Sequence, residues 1–339
     1  MKFKLLSVEN TNESNIGDYV QSLAASQFLP HVDGFVNRES LSDYQGEECK
    51  VIMNGWYMHK PENWPPSQNI HPLFISMHIN KLAEKQMLSP KSISYLKQFE
   101  PIGCRDYHTQ EVLQEAGVDA YFSGCLTLTL GKKYGGMSKN DDVFFIDPYI
   151  PGGVPNIVLF QDFMFLLFHP IAVYKISCKT KVRPTIIRNL VKVSRFVRLY
   201  SKIFTRETLL HAKYISQENA YYATLENEKK LKEAERLVCL YSKAALVITG
   251  RIHCALPCLG MDTTVYYTKP EEEAEVSTCR FGGIMDLFNV IKVLPNNIYC
   301  DFEVNGKMSV KNSVPNKTNW KLLVNALASR CEQFINNTD

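Results

Sequence analysis

Val247-Ile248-Thr249-Gly250-Arg251-Ile252-His253 is the stretch that decides how this 339-residue chain is read. An apolar, β-branched run, Ala244–Thr249, stops at a glycine, and Arg251-Ile252-His253 then open a short helical pattern that closes at Gly260. A second such run, Thr264–Tyr267, follows, and a long helical pattern, about Glu226–Ser242, precedes. Strand, glycine corner, helix and strand make a βαβ unit, which implies parallel strands and an α/β fold. In such sheets ligands gather beyond the carboxyl ends of the strands. Arg251 brings a planar fork suited to carboxylate or phosphate, and His253 a group that exchanges a proton near neutral pH. Two residues apart at one corner, they serve either to hold an anion and protonate it or as a cap and an ion pair. Lys269, after the next strand, adds a third cation.

The first half follows the same order. Lys2–Val8 reads as a strand, Asn15-Ile16-Gly17-Asp18 as a turn and Tyr19–Phe28 as a helix. The turn puts free backbone N–H groups at a helix N-terminus, so Asn15 and Gly17 border an anion site. Asp18 is either the base that activates a hydroxyl or the N-cap of the helix. Strand-like runs at Lys50–Asn54 and Pro72–His78 follow. Trp56 and Tyr57 lie between them in a Pro-rich loop, where they either offer an aromatic face for stacking or pack the loop; His78 reads as a core histidine. Pro101–Cys104 is a short strand running into Arg105-Asp106, and Arg105 is either the first half's anion-binding cation or an ion pair with Asp106. Helical patterns at Ser89–Phe99 and Thr109–Ala116 flank it, the second closed by Gly117. Asp119–Leu130 reads as strand-like, and polar Lys132–Asp142 as a linker. We therefore divide the chain into an N-terminal domain at 1–135, a C-terminal domain at 136–315 and a final helical segment at 316–339, with the helix itself over Thr318–Ile335.

Composition excludes several classes. Apolar residues make up 45% and charged residues 22%, as in an ordinary globular protein. Lys plus Arg number 38 against 35 Asp plus Glu, a net charge of +3, which gives no field for nucleic acid. The ten cysteines are scattered without a CxxC pair, as in a reduced, intracellular chain. Cys254 and Cys258 beside His253 suit packing rather than a metal, so no metal site is expected. There is no GxGxxG fingerprint, P-loop or GxSxG elbow. The N-terminus lacks a signal-peptide apolar region, and the longest apolar stretch, Phe163–Phe168, reaches Tyr174 only across His169 and Pro170. A bilayer span needs about 20 residues, so a cytoplasmic protein is expected.

One segment differs from the rest. Between Phe163 and Arg206 there is no acidic residue but ten basic ones, Lys175, Lys179, Lys181, Arg183, Arg188, Lys192, Arg195, Arg198, Lys202 and Arg206. Taking these ten from the 38 leaves 28 basic residues against 35 acidic ones elsewhere, so the charge is segregated. Arg188, Lys192, Arg195, Arg198 and Lys202 recur at helical spacing among apolar residues. That pattern belongs to a membrane-surface element, to a phosphate-rich binding face, or to a solvated helix whose charges pair with acids elsewhere.

In order and spacing, these segments resemble the polysaccharide pyruvyltransferase family. The residues that carry the resemblance are Asn15-Ile16-Gly17-Asp18, Gly103-Cys104-Arg105-Asp106 with Thr109 and Leu113-Gln114-Glu115-Ala116-Gly117-Val118, and Ile248-Thr249-Gly250-Arg251-Ile252-His253. Ile215-Ser216-Gln217-Glu218 and Ala120–Leu128 are similar to segments of bacterial members. The resemblance runs from about Leu5 to Tyr267 and omits the basic block and the chain after Leu294. It implies two Rossmann-like domains facing a central cleft, similar to the GT-B architecture. It also implies transfer of a pyruvyl group from phosphoenolpyruvate to two hydroxyls of one sugar in a cell-surface or capsular polysaccharide precursor, giving a cyclic ketal with no cofactor beyond the donor. His253 matches the family's catalytic histidine and Arg105 its donor-binding arginine. Lys269 lies roughly where the family has an anion-binding lysine, at a looser spacing. Arg251 supports either the corner or the phosphate. With the basic block, the resemblance suggests a lipid-diphosphate-linked glycan acceptor at the inner face of the membrane.

Two other functions fit the same fold. One is a nucleotide-sugar glycosyltransferase or epimerase, with Glu271, Glu272 or Glu273 as ribose ligand; the other is a non-catalytic glycan-binding assembly protein. Arg105, Arg251, His253 and Lys269 together weigh against lost chemistry.

Overall fold

A computed structural model of the chain describes residues 1–9, 14–180, 186–271 and 279–337. The N-terminal half contributes strands β1 (Lys2–Ser7), β2 (Phe35–Asn37), β3 (Cys49–Ile52), β4 (Trp56–Tyr57), β5 (Ile70–Leu73), β6 (His78–Ile79), β7 (Ile102–Cys104) and β8 (Ala120–Phe122). β2-β1-β3-β5 form a parallel sheet, and β4-β6 and β7-β8 are parallel pairs. The amide of Gly103 donates to the carbonyl of Phe74 (3.0 Å) and that of Met77 to Gly103 (3.0 Å), which sets β7 beside the end of β5. The second half adds β9 (Val143–Ile146), β10 (Lys213–Ile215), β11 (Leu246–Thr249), β12 (Thr264–Lys269), β13 (Asn289–Val293) and β14 (Ile298–Cys300). They form one sheet in the order β10-β9-β11-β12-β13-β14, antiparallel only at β14. The protein is thus a mixed α/β molecule with parallel sheets. All four residues of β11 are buried, as expected of a central parallel strand covered on both faces.

Two expected strands differ. Pro72–His78 is not one strand, because Ser76 sits at φ +54° and breaks the run between β5 and β6. Asp119–Leu130 is strand only over β8; Gly124 turns the chain at φ +69°, and Leu126–Leu130 then form a fully buried 3₁₀ turn. That turn presses on the Ile252–Gly260 helix. A Cβ on Gly260 would lie 2.0 Å from the carbonyl oxygen of Leu128, so only glycine allows the approach.

This contact forms part of a core shared by both halves. Leu5 and Ile52 of the first sheet, Leu126, Leu128 and Leu130 of the turn, and Phe144 and Val247 of the second sheet belong to one apolar cluster. The Gly17–Ser26 helix packs on the Asn227–Lys243 helix from the other half. The C-terminal helix, Lys321–Asn336, returns to the first half, where the Lys50 Nζ donates to the Phe334 carbonyl (2.9 Å) and Lys132 pairs with Glu332 (2.7 Å).

The basic block contains the Ile186–Tyr200 helix, with Lys181 and Arg183 outside the described residues. Its cations divide into two groups. Arg195 and Arg198 turn inward onto the buried carboxylate of Asp162, at 2.7 and 2.9 Å, the acid that immediately precedes the block. Arg188 and Lys192 remain on the outside.

Candidate active site

The polar groups converge where strands end, because a parallel sheet releases its chain into loops on one side. β2 releases Arg38, β7 releases Arg105 and β11 releases His253, while the loop after β1 leads to Asp18 in the first turn of the Gly17–Ser26 helix. That loop is fastened to the second half: the Ile16 amide donates to the Gln217 carbonyl (2.9 Å) and Asn219 to Ser14 (2.9 Å).

His253 is 8% exposed, and its Nε2 makes no hydrogen bond. It packs on Gly17, where a Cβ would stand 3.2 Å from its Nδ1 and 3.1 Å from the Asn15 Oδ1. Gly17 therefore makes room for the imidazole, and Asn15 fixes the turn by accepting the Gly17 amide at 3.0 Å. Burial, aided by the charges of Arg105, Arg280 and Arg38 and opposed by Asp18, pushes the His253 pKa down to about 3. The imidazole is neutral at physiological pH, through burial first and the surrounding cations second.

Arg105 is 3% exposed. Its nearest carboxylate, Asp106, is 3.8 Å away, and its Nε has no hydrogen-bond partner. Asp106 has other duties: it caps the Tyr107–Glu115 helix through the Thr109 amide (2.9 Å), accepts the Thr109 hydroxyl (2.9 Å) and lies 2.7 Å from His78 Nδ1. His78 is the buried core histidine expected; burial and the charge of Arg105, against Asp106, push its pKa down to about 4. Burial also lowers the pKa of Arg105. A buried guanidinium so loosely compensated favours an anion beside it.

Asp18 is not the helix cap. That position is Ile16, and the Asp18 carboxylate instead accepts from Gln21 Nε2 (2.9 Å) and pairs with Arg38 at 3.5 Å. Arg38 also pairs with Glu39 (3.0 Å) and lies over the Trp56 ring at 5.3 Å. Trp56 is half-buried there, against His59 at 4.5 Å, and Tyr57 is fully buried and has no face to offer a ligand.

Beside this cluster lies a cavity of about 1800 Å³ in the second half, lined by Arg251, Lys269, Arg280, Glu218, Tyr221 and Tyr267 among others. Arg251 is held by Asp147 at 3.1 Å and by Glu218; burial opposes its charge, but these carboxylates raise its pKa and make it a brace for the corner. Lys269 stands at the end of β12. Glu271 accepts the Tyr299 hydroxyl, while Glu272 and Glu273 lie outside the described residues. Arg280 connects the two groups, since it lines the cavity and its charge reaches His253 and Arg105. Among the described residues, no cluster of three His, Cys, Asp or Glu could hold a metal ion.

Sequence reasoning missed Arg38 and Arg280. Arg38 follows the three-residue β2, too short to stand out as a strand, though the strand-end rule covers it. Arg280 lies in a 3₁₀ turn, Cys279–Phe281, far from any strand end; only the packing of that turn on the Tyr107–Glu115 helix brings it near Arg105.

No curated protein matches the chain, and no solved structure does. A family model described as polysaccharide pyruvyl transferase matches residues 15–267, which include the Asn15–Asp18 turn, Arg105 and the Arg251–His253 corner. With three quarters of its length so matched, the chain belongs to the polysaccharide pyruvyl transferase family.

Proposed function

We propose that this protein transfers the pyruvyl group of phosphoenolpyruvate to two hydroxyls of one sugar in a polysaccharide precursor, with His253 as proton donor. The observation that supports this most is the buried His253, with an unengaged Nε2, among three arginines from both halves. Two Rossmann-like units, 1–135 and 136–315, facing a common cleft would bring donor and acceptor together there.

The donor carries a carboxylate and a phosphate, and Arg105, Arg38, Arg280 and Lys269 suit those charges. Burial first, and then the cationic field of Arg105, Arg280 and Arg38, keep His253 neutral when the site is empty. An entering polyanion cancels that field, so His253 gains its proton together with the donor. The imidazolium then gives the proton to the donor's methylene carbon, which becomes the methyl group, as one hydroxyl oxygen bonds to the adjacent carbon. Asp18 takes that hydroxyl's proton. The carbon–oxygen bond to phosphate breaks, the second hydroxyl closes the ketal, and its proton leaves with inorganic phosphate. Arg251 keeps the corner in place through Asp147 and Glu218.

The test is phosphate release from phosphoenolpyruvate over a panel of free and lipid-linked glycans. His253→Ala is expected to lower the rate by about 10²–10⁴, the range for a lost general acid. Turnover of a sugar nucleotide instead, or full activity in His253→Ala, contradicts the proposal.

A further inference from the structure

Two helices away from the candidate site turn their apolar residues outward. Asn156–Phe168 and Pro170–Ser177 meet at a 100° bend, and neither is long and apolar enough to cross a membrane. Ile157, Phe160, Phe163, Leu167 and Phe168 are exposed on the first, and Ile171 and Tyr174 on the second; Phe168 is 73% and Ile171 67% exposed. Ile187, 75% exposed, begins the Ile186–Tyr200 helix that packs against both. Single exposed apolar residues are ordinary, but such a concentration on three packed helices marks an interaction surface.

Within this stretch of chain the exposed charges have one sign, the nearest exposed acid being Glu207 of the following Arg206–His211 helix. Asp162 is the only acid between 148 and 206, and it is buried under Arg195 and Arg198. Lys175, Arg188 and Lys192 are exposed, and among the described residues Arg188 and Lys192 have no ion-pair partner. Arg188 and Lys192 also border a groove of about 600 Å³ whose walls include Ile150, Leu159, Ile187 and Val191. Ile150 and Lys192 line the large cavity as well, so groove and cavity adjoin.

We propose that this face docks on an anionic lipid bilayer, the apolar crest entering the headgroup region while Arg188 and Lys192 meet lipid phosphates. An apolar face flanked by cations is the composition of an in-plane membrane element. A second copy is the poorer occupant, because two-fold pairing of this face would set Lys175, Arg188 and Lys192 against themselves. Docking leaves the cavity next to the lipid surface, where a lipid-linked acceptor resides. The face owes nothing to the chemistry at His253, so either proposal stands if the other falls.

The test is co-sedimentation of the full chain with vesicles of phosphatidylcholine alone or mixed equally with phosphatidylglycerol, without donor or glycan. Binding is expected only with the anionic lipid and is expected to weaken as salt rises. Phe160→Ser with Phe168→Ser, both exposed and thus harmless to folding, reduces binding to background. Arg188→Ser with Lys192→Ser reduces it by roughly tenfold or more. Unchanged melting by circular dichroism shows that both variants fold. Absence of binding to anionic vesicles overturns the proposal, as does a dimer seen by light scattering that the phenylalanine substitutions dissolve.

Discussion

A histidine buried among three arginines takes its proton only below about pH 3, against 6.5 for the free side chain. Between those values the unfolded chain holds a proton that the folded chain refuses. The stability tied to His253 is therefore complete above pH 6.5 and drains as the pH falls toward 3, with a slope of about 1.4 kcal/mol per pH unit. His253→Asn should flatten urea-measured stability across pH 6.5 to 4, with His78 keeping part of the slope; an unaltered profile means the imidazole is charged in the fold. Arg105→Lys tests the neighbouring cation. Lysine cannot supply the planar fork, so half-saturation by phosphoenolpyruvate should rise about tenfold or more in steady-state kinetics. Both residues were legible in sequence, because each follows an apolar run at a strand end. The state of His253 was not, since Arg38 and Arg280 reach it only through the tertiary fold.

Elements were legible where the local pattern matched the packing, and they failed where a contact from elsewhere decided. The 244–267 unit lies close to its expected bounds because β11 is apolar for a local reason, burial on both faces. Leu126–Leu130 alternate as a strand would, yet they wind into a 3₁₀ turn against the Ile252–Gly260 helix. Gly260→Ala should destabilise by about 1–3 kcal/mol or more in chemical denaturation, since the added methyl meets backbone. A drop below about 0.5 kcal/mol would show that the turn gives way. The basic helix gives a second case. Asp162→Asn strands Arg195 and Arg198 in the interior, which should cost about 3–5 kcal/mol, read as a lowered melting temperature.

On the scale of the whole molecule, two parallel sheets share one apolar cluster, and the C-terminal helix ties the second half to the first. A core held in common couples their unfolding, so calorimetry should show one transition rather than two resolved ones. The alternation of strands and helices could be read from the chain, as could the segregated charge behind a net of +3. The shared core could not, because its partners lie far apart in the chain, Leu5 and Ile52 with Phe144 and Val247. That union sets a neutral histidine from one half beside arginines from the other, and the mechanism we propose makes its proton uptake contingent on a bound polyanion. NMR titration of the His253 imidazole tests this most directly. Saturating phosphoenolpyruvate is predicted to lift its pKa from about 3 toward neutrality, while an uncharged sugar leaves it low; an imidazole that titrates alike with and without phosphoenolpyruvate contradicts the account.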